Sequence, residues 1–136
     1  MPLSQEEINR PLSPHLLIYK PQITSVLSIM HRGTGIVLFG GSLLWALWFV
    51  LLAAGSTAYI QGQTLLLSPF GLIILLGWSF SFFYHFCNGI RHLLWDIGVG
   101  FELSTVRKSG WTVIFASIFL TSVAWALGVM NGKGLL

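Results

Sequence analysis

Between Gly33 and Ala54 the chain runs for 22 residues without a charged side chain. At 1.5 Å per residue that is long enough to cross a hydrocarbon layer of about 30 Å. Two further uncharged apolar runs follow, at residues 65–88 and 110–130. A backbone in hydrocarbon must satisfy its own N–H and C=O groups, so each run is read as a helix. The sequence therefore predicts an all-α integral membrane protein with three transmembrane helices. Its 54% hydrophobic and 8% charged composition lies outside the balance of a soluble globular chain. A length of 136 residues leaves room for one domain. Residues 1–32 read as a cytoplasmic N-terminal arm leading into the first helix, and residues 33–136 as the three-span membrane domain.

Pro2, Pro11, Pro14 and Pro21 break any continuous helix in the arm. The apolar Leu16-Leu17-Ile18-Tyr19 leaves two readings of this arm open, a segment seated on a partner or a loose tail. Gly33, Gly35, Gly40 and Gly41 lie in the first half of the first span, where small residues admit a second helix or a flat ligand. Residues 55–63 read as a plain polar turn, and Pro69 suits the first turn of the second helix. A loop containing Gly98, Gly100, Glu102, Arg107 and Lys108 is expected before the third span. Trp111 and Trp125 fit either a membrane interface or packing between helices. The basic residues flank the apolar runs: Arg10, Lys20 and Arg32 in the arm, and Arg91, Arg107 and Lys108 around the second loop. The positive-inside rule then puts the amino end and the second loop in the cytoplasm, with membrane lipid around the spans. A formal charge of +3, not gathered into a block, argues against nucleic acid as a partner.

Two polar clusters stand out against this apolar background. Tyr84-His85-Phe86-Cys87-Asn88-Gly89-Ile90-Arg91-His92-Leu93-Leu94-Trp95-Asp96 closes the second run, and Ser28-Ile29-Met30-His31-Arg32 precedes the first. On a helix, His85, Gly89, His92 and Asp96 share one stripe, with His85 and His92 about 10.5 Å apart along the axis. Ser28, His31 and Arg32 likewise share a face. Ionisable residues in membrane segments are functional candidates by default.

Several chemistries can be weighed on those residues. A Ser-His-Asp hydrolase lacks a second acidic residue at matching depth. Zinc is poorly served, because two histidines seven residues apart on one helix are too distant to share an ion and no thiolate set is present. The lone Cys87 reads as a small apolar packing residue. A haem fits better: a membrane imidazole can ligate iron while Arg91, His92, His31 and Arg32, nearer the surface, lie at the height of the propionates. The spacing alone leaves equally open that His85 only hydrogen-bonds a neighbouring helix. If a haem binds, no other histidine reaches the expected depth of His85, so the second axial ligand has to come from another subunit.

At these residues the chain resembles the large, cytochrome b membrane-anchor subunits of succinate dehydrogenase, respiratory complex II. The likeness is carried by Arg10-Pro11-Leu12-Ser13-Pro14-His15, by Ser28-Ile29-Met30-His31-Arg32-Gly33-Thr34-Gly35, and by the pattern H-x-x-x-G-x-R-H-x-x-x-D from His85 to Asp96. It implies a hetero-oligomeric helical bundle around a haem b, shared with a smaller three-span subunit. A flavoprotein and an iron–sulfur subunit would sit on the cytoplasmic or matrix face, and electrons from succinate would reach ubiquinone. Residue by residue, the resemblance makes His85 the axial ligand of the haem iron. It puts His31, Arg91 and His92 beside the propionates, Ser28 and Arg32 in the ubiquinone site, and Asp96 near the quinone pocket. It leaves succinate oxidation to another chain. Two other classes remain: a haem-free structural anchor, and the anchor of a quinol:fumarate reductase running the reverse reaction. Met1 to Glu7 has neither the form of a signal peptide nor that of a transit peptide, so the expectation is a bacterial chain starting at its own initiator, or a trimmed one. The expected location is the bacterial inner membrane, with the mitochondrial inner membrane as the alternative.

Overall fold

The computed structural model describes residues 20–131. The Arg10–His15 motif, the Leu16–Tyr19 segment and the last five residues lie outside them. Helix α1 spans Ile23–Ala53, α2 Ser56–Leu66, α3 Pro69–Asp96 and α4 Leu103–Asn131. Three of these, α1, α3 and α4, are long and apolar enough to cross a membrane. At 31 residues α1 is about 46 Å long, so its first turns reach beyond a hydrocarbon layer of about 30 Å. Ser28, His31 and Arg32 therefore ride on the same rigid helix as the first apolar run. Helix α4 likewise starts before its apolar run, so Arg107 and Lys108, expected in a loop, lie on its opening turns.

Residues 55–63 are not a plain turn. Gly55, at φ 112°, reverses the chain, and α2 then folds back against α1 and α3. The Tyr59 ring meets Trp48 edge-on at 5.0 Å, and Gly62 lies close to Leu51. A helix satisfies the backbone of this connection without water, an advantage at a membrane surface that counting polar residues overlooks. The Ser68 side chain accepts the Gly71 N–H at 3.2 Å, and Pro69 opens α3 where its missing N–H costs nothing. At the other end of α3, Val99 N–H donates to Leu94 O at 2.9 Å and Gly98 N–H to Trp95 O at 2.8 Å. Gly98, at φ 82°, is the left-handed residue this Schellman closure requires.

The bundle is polar inside and apolar outside. Buried on α3 are Ser81, Tyr84, Asn88 and Arg91, and on α4 Gly110, Val113, Ser117 and Thr121, each set at helical spacings of three and four. Ile36, Phe39, Ile73, Phe86 and Phe119 face outward instead. In lipid, burying another leucine gains little, so helices associate through small residues and hydrogen bonds. Gly110 abuts Leu27, and the indole N–H of Trp125 donates to Ser79 Oγ at 2.9 Å, which makes Trp125 a packing residue, whereas Trp111 is half exposed. Of the four glycines in the first half of the first span, Gly41 and Gly35 are used for close approach, to Trp78 and His85, while Gly33 and Gly40 face open space.

A Cβ at residue 41 would overlap the Trp78 indole, whereas one at residue 40 meets nothing within 4 Å. Gly41→Ala is therefore expected to destabilise the fold by about 1–3 kcal/mol. The check is a lowered thermal unfolding midpoint of the detergent-solubilised protein, with Gly40→Ala close to wild type.

Candidate functional site

Helix α3 grips α1 at two backbone carbonyls one helical turn apart. Tyr84, fully buried, donates its hydroxyl to Leu27 O at 2.9 Å, and His85 Nδ1 lies 3.1 Å from His31 O. Thr34 completes the second contact, its Oγ1 lying 2.9 Å from His31 O and 3.2 Å from His85 Nδ1. The proton positions follow from the acceptors. A carbonyl only accepts, and the single Thr34 hydroxyl proton goes to it, so Nδ1 must carry a proton to avoid setting a lone pair against the same oxygen. His85 is thus the Nδ1–H tautomer and donates to His31 O and Thr34 Oγ1. Its Nε2 takes part in no hydrogen bond among the described residues. Glycine at 35 lets the ring sit this close, since a Cβ there would be 3.3 Å from His85 Cε1.

The His31 ring lies flat on that of His85, centroids 3.9 Å apart and planes 10° apart, and 5.1 Å from the ring of His92. Three histidines from the two polar clusters thus meet. The expectation that no other histidine reaches the depth of His85 fails here, because the register of α1 on α3 sets residue 31 directly against residue 85. His31 Nδ1 is buried with no hydrogen-bond partner among the described residues. No three His, Cys, Asp or Glu side chains among those residues converge to hold a bare metal ion.

Arg91 sits apart from this cluster, in the seam between α3 and α4, and is only 5% exposed. Its Nε donates to Ser109 Oγ at 3.0 Å, Nη2 to Val106 O at 3.0 Å and Nη1 to Asn88 Oδ1 at 3.4 Å. The guanidinium also lies 4.0 Å above the Trp95 ring. Of the five guanidinium N–H groups three are used, which leaves two. Ser28 is half-buried on α1. Arg32 is exposed, and its Nε makes one long contact with the Ser28 carbonyl at 3.5 Å, so most of its donors are uncommitted. Asp96, exposed, closes α3 one turn beyond His92; no contact among the described residues joins it to Ser28 or Arg32.

Thr34, Tyr84, Asn88 and Ser109 are polar partners that the sequence reading did not single out. For Thr34, Tyr84 and Asn88 a signal was available, since each stands three or four positions from a residue of the two polar clusters; Ser109 carries none. A separate groove of about 180 Å³ lies at the opposite end of α1 and α3, lined by Gly41, Trp45, Trp48 and Trp78 among others. None of its lining side chains is titratable.

Residues 6–124 match the succinate dehydrogenase/fumarate reductase transmembrane subunit family. The chain is 45% identical over 127 residues to the succinate dehydrogenase cytochrome b556 subunit of Rickettsia bellii, covering 92% of this chain and 99% of that one. With the same subunit of Rickettsia prowazekii it shares 47% over 125 residues, covering 90% and 97%. With the succinate dehydrogenase cytochrome b560 subunit of Marchantia polymorpha it shares 44% over 119 residues, covering 84% and 87%. Together with three helices of membrane-spanning length, these likenesses show that the chain belongs to the succinate dehydrogenase/fumarate reductase transmembrane subunit family, as a multi-pass inner-membrane subunit of that enzyme.

Proposed function

We propose that the chain binds one haem b through His85 and forms part of the site where ubiquinone receives electrons that originate from succinate. One observation carries the haem assignment: His85 is held through Nδ1–H by the carbonyl of His31, with its Nε2 lone pair uncommitted. Iron-ligating histidines need that arrangement, because the bond at one nitrogen fixes the tautomer and aims the other. The residues present fit the group in two further respects. His31 Nδ1 is a buried polar atom still lacking a partner, and Arg91 keeps two N–H groups beyond its own hydrogen bonds. In this reading His31, Arg91 and His92 would donate toward the propionates, and a smaller three-span partner subunit, implied by the family resemblance, would complete the binding of the iron. Haem b, when bound, supplies a one-electron redox centre.

The quinone assignment rests on Ser28 and Arg32, one turn apart on α1. A quinone oxygen gaining negative charge is stabilised by a fixed donor and a permanent cation, and becoming a quinol it must also take up protons. The Ser28 hydroxyl can donate, and the exposed Arg32 guanidinium offers uncommitted N–H donors. Asp96, exposed beyond His92, is suited to exchange protons with solvent. Lys20, Arg32, Arg91, Arg107 and Lys108 all lie at this end of the bundle, and the opposite end carries no charged side chain among the described residues. That asymmetry supports an amino terminus in the cytoplasm, the side on which the flavoprotein and iron–sulfur subunits would dock.

In the assembled complex, His85→Ala is expected to abolish the low-spin b-type spectrum or convert it to a high-spin one; an unchanged reduced-minus-oxidised spectrum would remove His85 as ligand. Ser28→Ala and Arg32→Leu are expected to leave succinate oxidation with an artificial acceptor nearly intact. Succinate-to-ubiquinone activity should fall at least about tenfold, or about 1.4 kcal/mol of transition-state stabilisation. Undiminished quinone reduction in both variants would place that site elsewhere.

A further inference from the structure

We propose that Asn88 is a positioning residue for His92, fixing it as the Nδ1–H tautomer so that it presents a neutral N–H donor to the carboxylates of the ligand held by the histidine cluster. The proposal rests on the haem reading above for what that ligand is, but not for the state of His92. Asn88 is completely buried, and both ends of its amide are engaged: Oδ1 lies 3.4 Å from Arg91 Nη1, and Nδ2 lies 3.4 Å from His92 Nε2.

The orientation of that amide is settled by Arg91, because a guanidinium has donors only, so the group facing it must be the carbonyl oxygen. The NH2 end is then the one that faces His92. It donates, so His92 Nε2 must be the acceptor, and a neutral imidazole with an accepting Nε2 carries its proton on Nδ1. Arg91 cannot turn away to release the amide, since Ser109 Oγ and Val106 O on α4 hold it from the far side and Trp95 lies beneath it. A chain of donors thus runs from α4 through Arg91 and Asn88 to His92. The His92 ring itself is held between His31, at 5.1 Å and tilted, and Trp95, at 5.1 Å and edge-on. Ring packing restricts where the imidazole lies but is indifferent to which nitrogen bears the proton. The amide alone decides that.

The decisive variant is Asn88→Asp, which keeps the shape and the contact with Arg91 but replaces the donor facing His92 by an acceptor. The experiment is nitrogen-15 solid-state NMR of the ring nitrogens of His92 in the assembled, histidine-labelled complex, assigned by difference against His92→Gln. Wild type is expected to show a protonated Nδ1 and an unprotonated Nε2, and Asn88→Asp a protonated Nε2. A wild-type His92 protonated at Nε2, or an unchanged pattern in Asn88→Asp, would overturn the proposal. The haem midpoint potential provides a second reading. Asn88→Leu, which removes the amide donor without adding a charge, should shift it downward, because carboxylates deprived of an N–H donor stabilise the oxidised iron, and most of the shift should vanish when His92→Gln is already present. A full shift in that background would also overturn it, by showing that residue 88 acts without His92. Failure of the haem assignment is read separately, as an unaltered spectrum in His85→Ala.

Discussion

The candidate site follows from how α1 lies on α3, where two hydrogen bonds to backbone carbonyls join the helices and glycine contacts select their register. Tyr84 reaches Leu27 O and His85 reaches His31 O, one turn further along. Helical carbonyls are already engaged in the helix ladder, but each oxygen has a second lone pair, and in an apolar medium a side chain that finds one has no water to prefer instead. Two such contacts on neighbouring turns tie the helices together, and the close approaches at Gly35 and Gly41, which do not recur on the next turn, select the register. Sliding α1 by a turn would offer those donors another carbonyl but would bring Val37 or Trp45 to the place of Gly41 against Trp78, where even a Cβ has no room. Gly35 and Gly41 keep the helices close enough for those bonds, the former under His85 and the latter under Trp78.

That register also creates the candidate site. Because residue 31 falls against residue 85, the stacked imidazoles come from different helices, and His92 joins them from the next two turns of α3. The same His31 carbonyl that fixes the packing fixes the proton on His85. Structure and chemistry therefore share one bond, and a change that loosens the seam disturbs both. The Arg91 node works differently. It ties α3 to α4 through Ser109 and Val106, spending most of its hydrogen-bonding capacity on the fold and leaving two N–H groups uncommitted.

Much of this was legible in the residues, for identifiable reasons. Three uncharged runs fixed the number of spans, and helical spacing put His85, His92 and Asp96 on one stripe, because both are properties of a single chain segment. Cross-helix facts were out of reach. Nothing local says that His31 stacks on His85 instead of lying nearer the surface, since that depends on which turn of α1 meets which turn of α3. Helix α2 was missed because Ser56, Gln61 and Gln63 look like turn residues when counted, although Tyr59 and Gly62 form a face that packs on α1. Spacing and resemblance alike present Arg91 as a ligand-facing cation. Its burial against α4 rests on Ser109 and the carbonyl of Val106, the second of which no side-chain pattern reveals.

In the proposed site α1 holds His85 through Nδ1 so that Nε2 is the nitrogen offered to iron. A cryo-electron microscopy map of the assembled complex, at a resolution that defines imidazole orientation, tests it most directly. The predicted result has His85 Nδ1 within hydrogen-bonding distance of the His31 carbonyl and Nε2 within bonding distance of a haem iron. A map with Nδ1 turned to the iron, or with Nε2 packed against protein and no iron beside it, would contradict the claim.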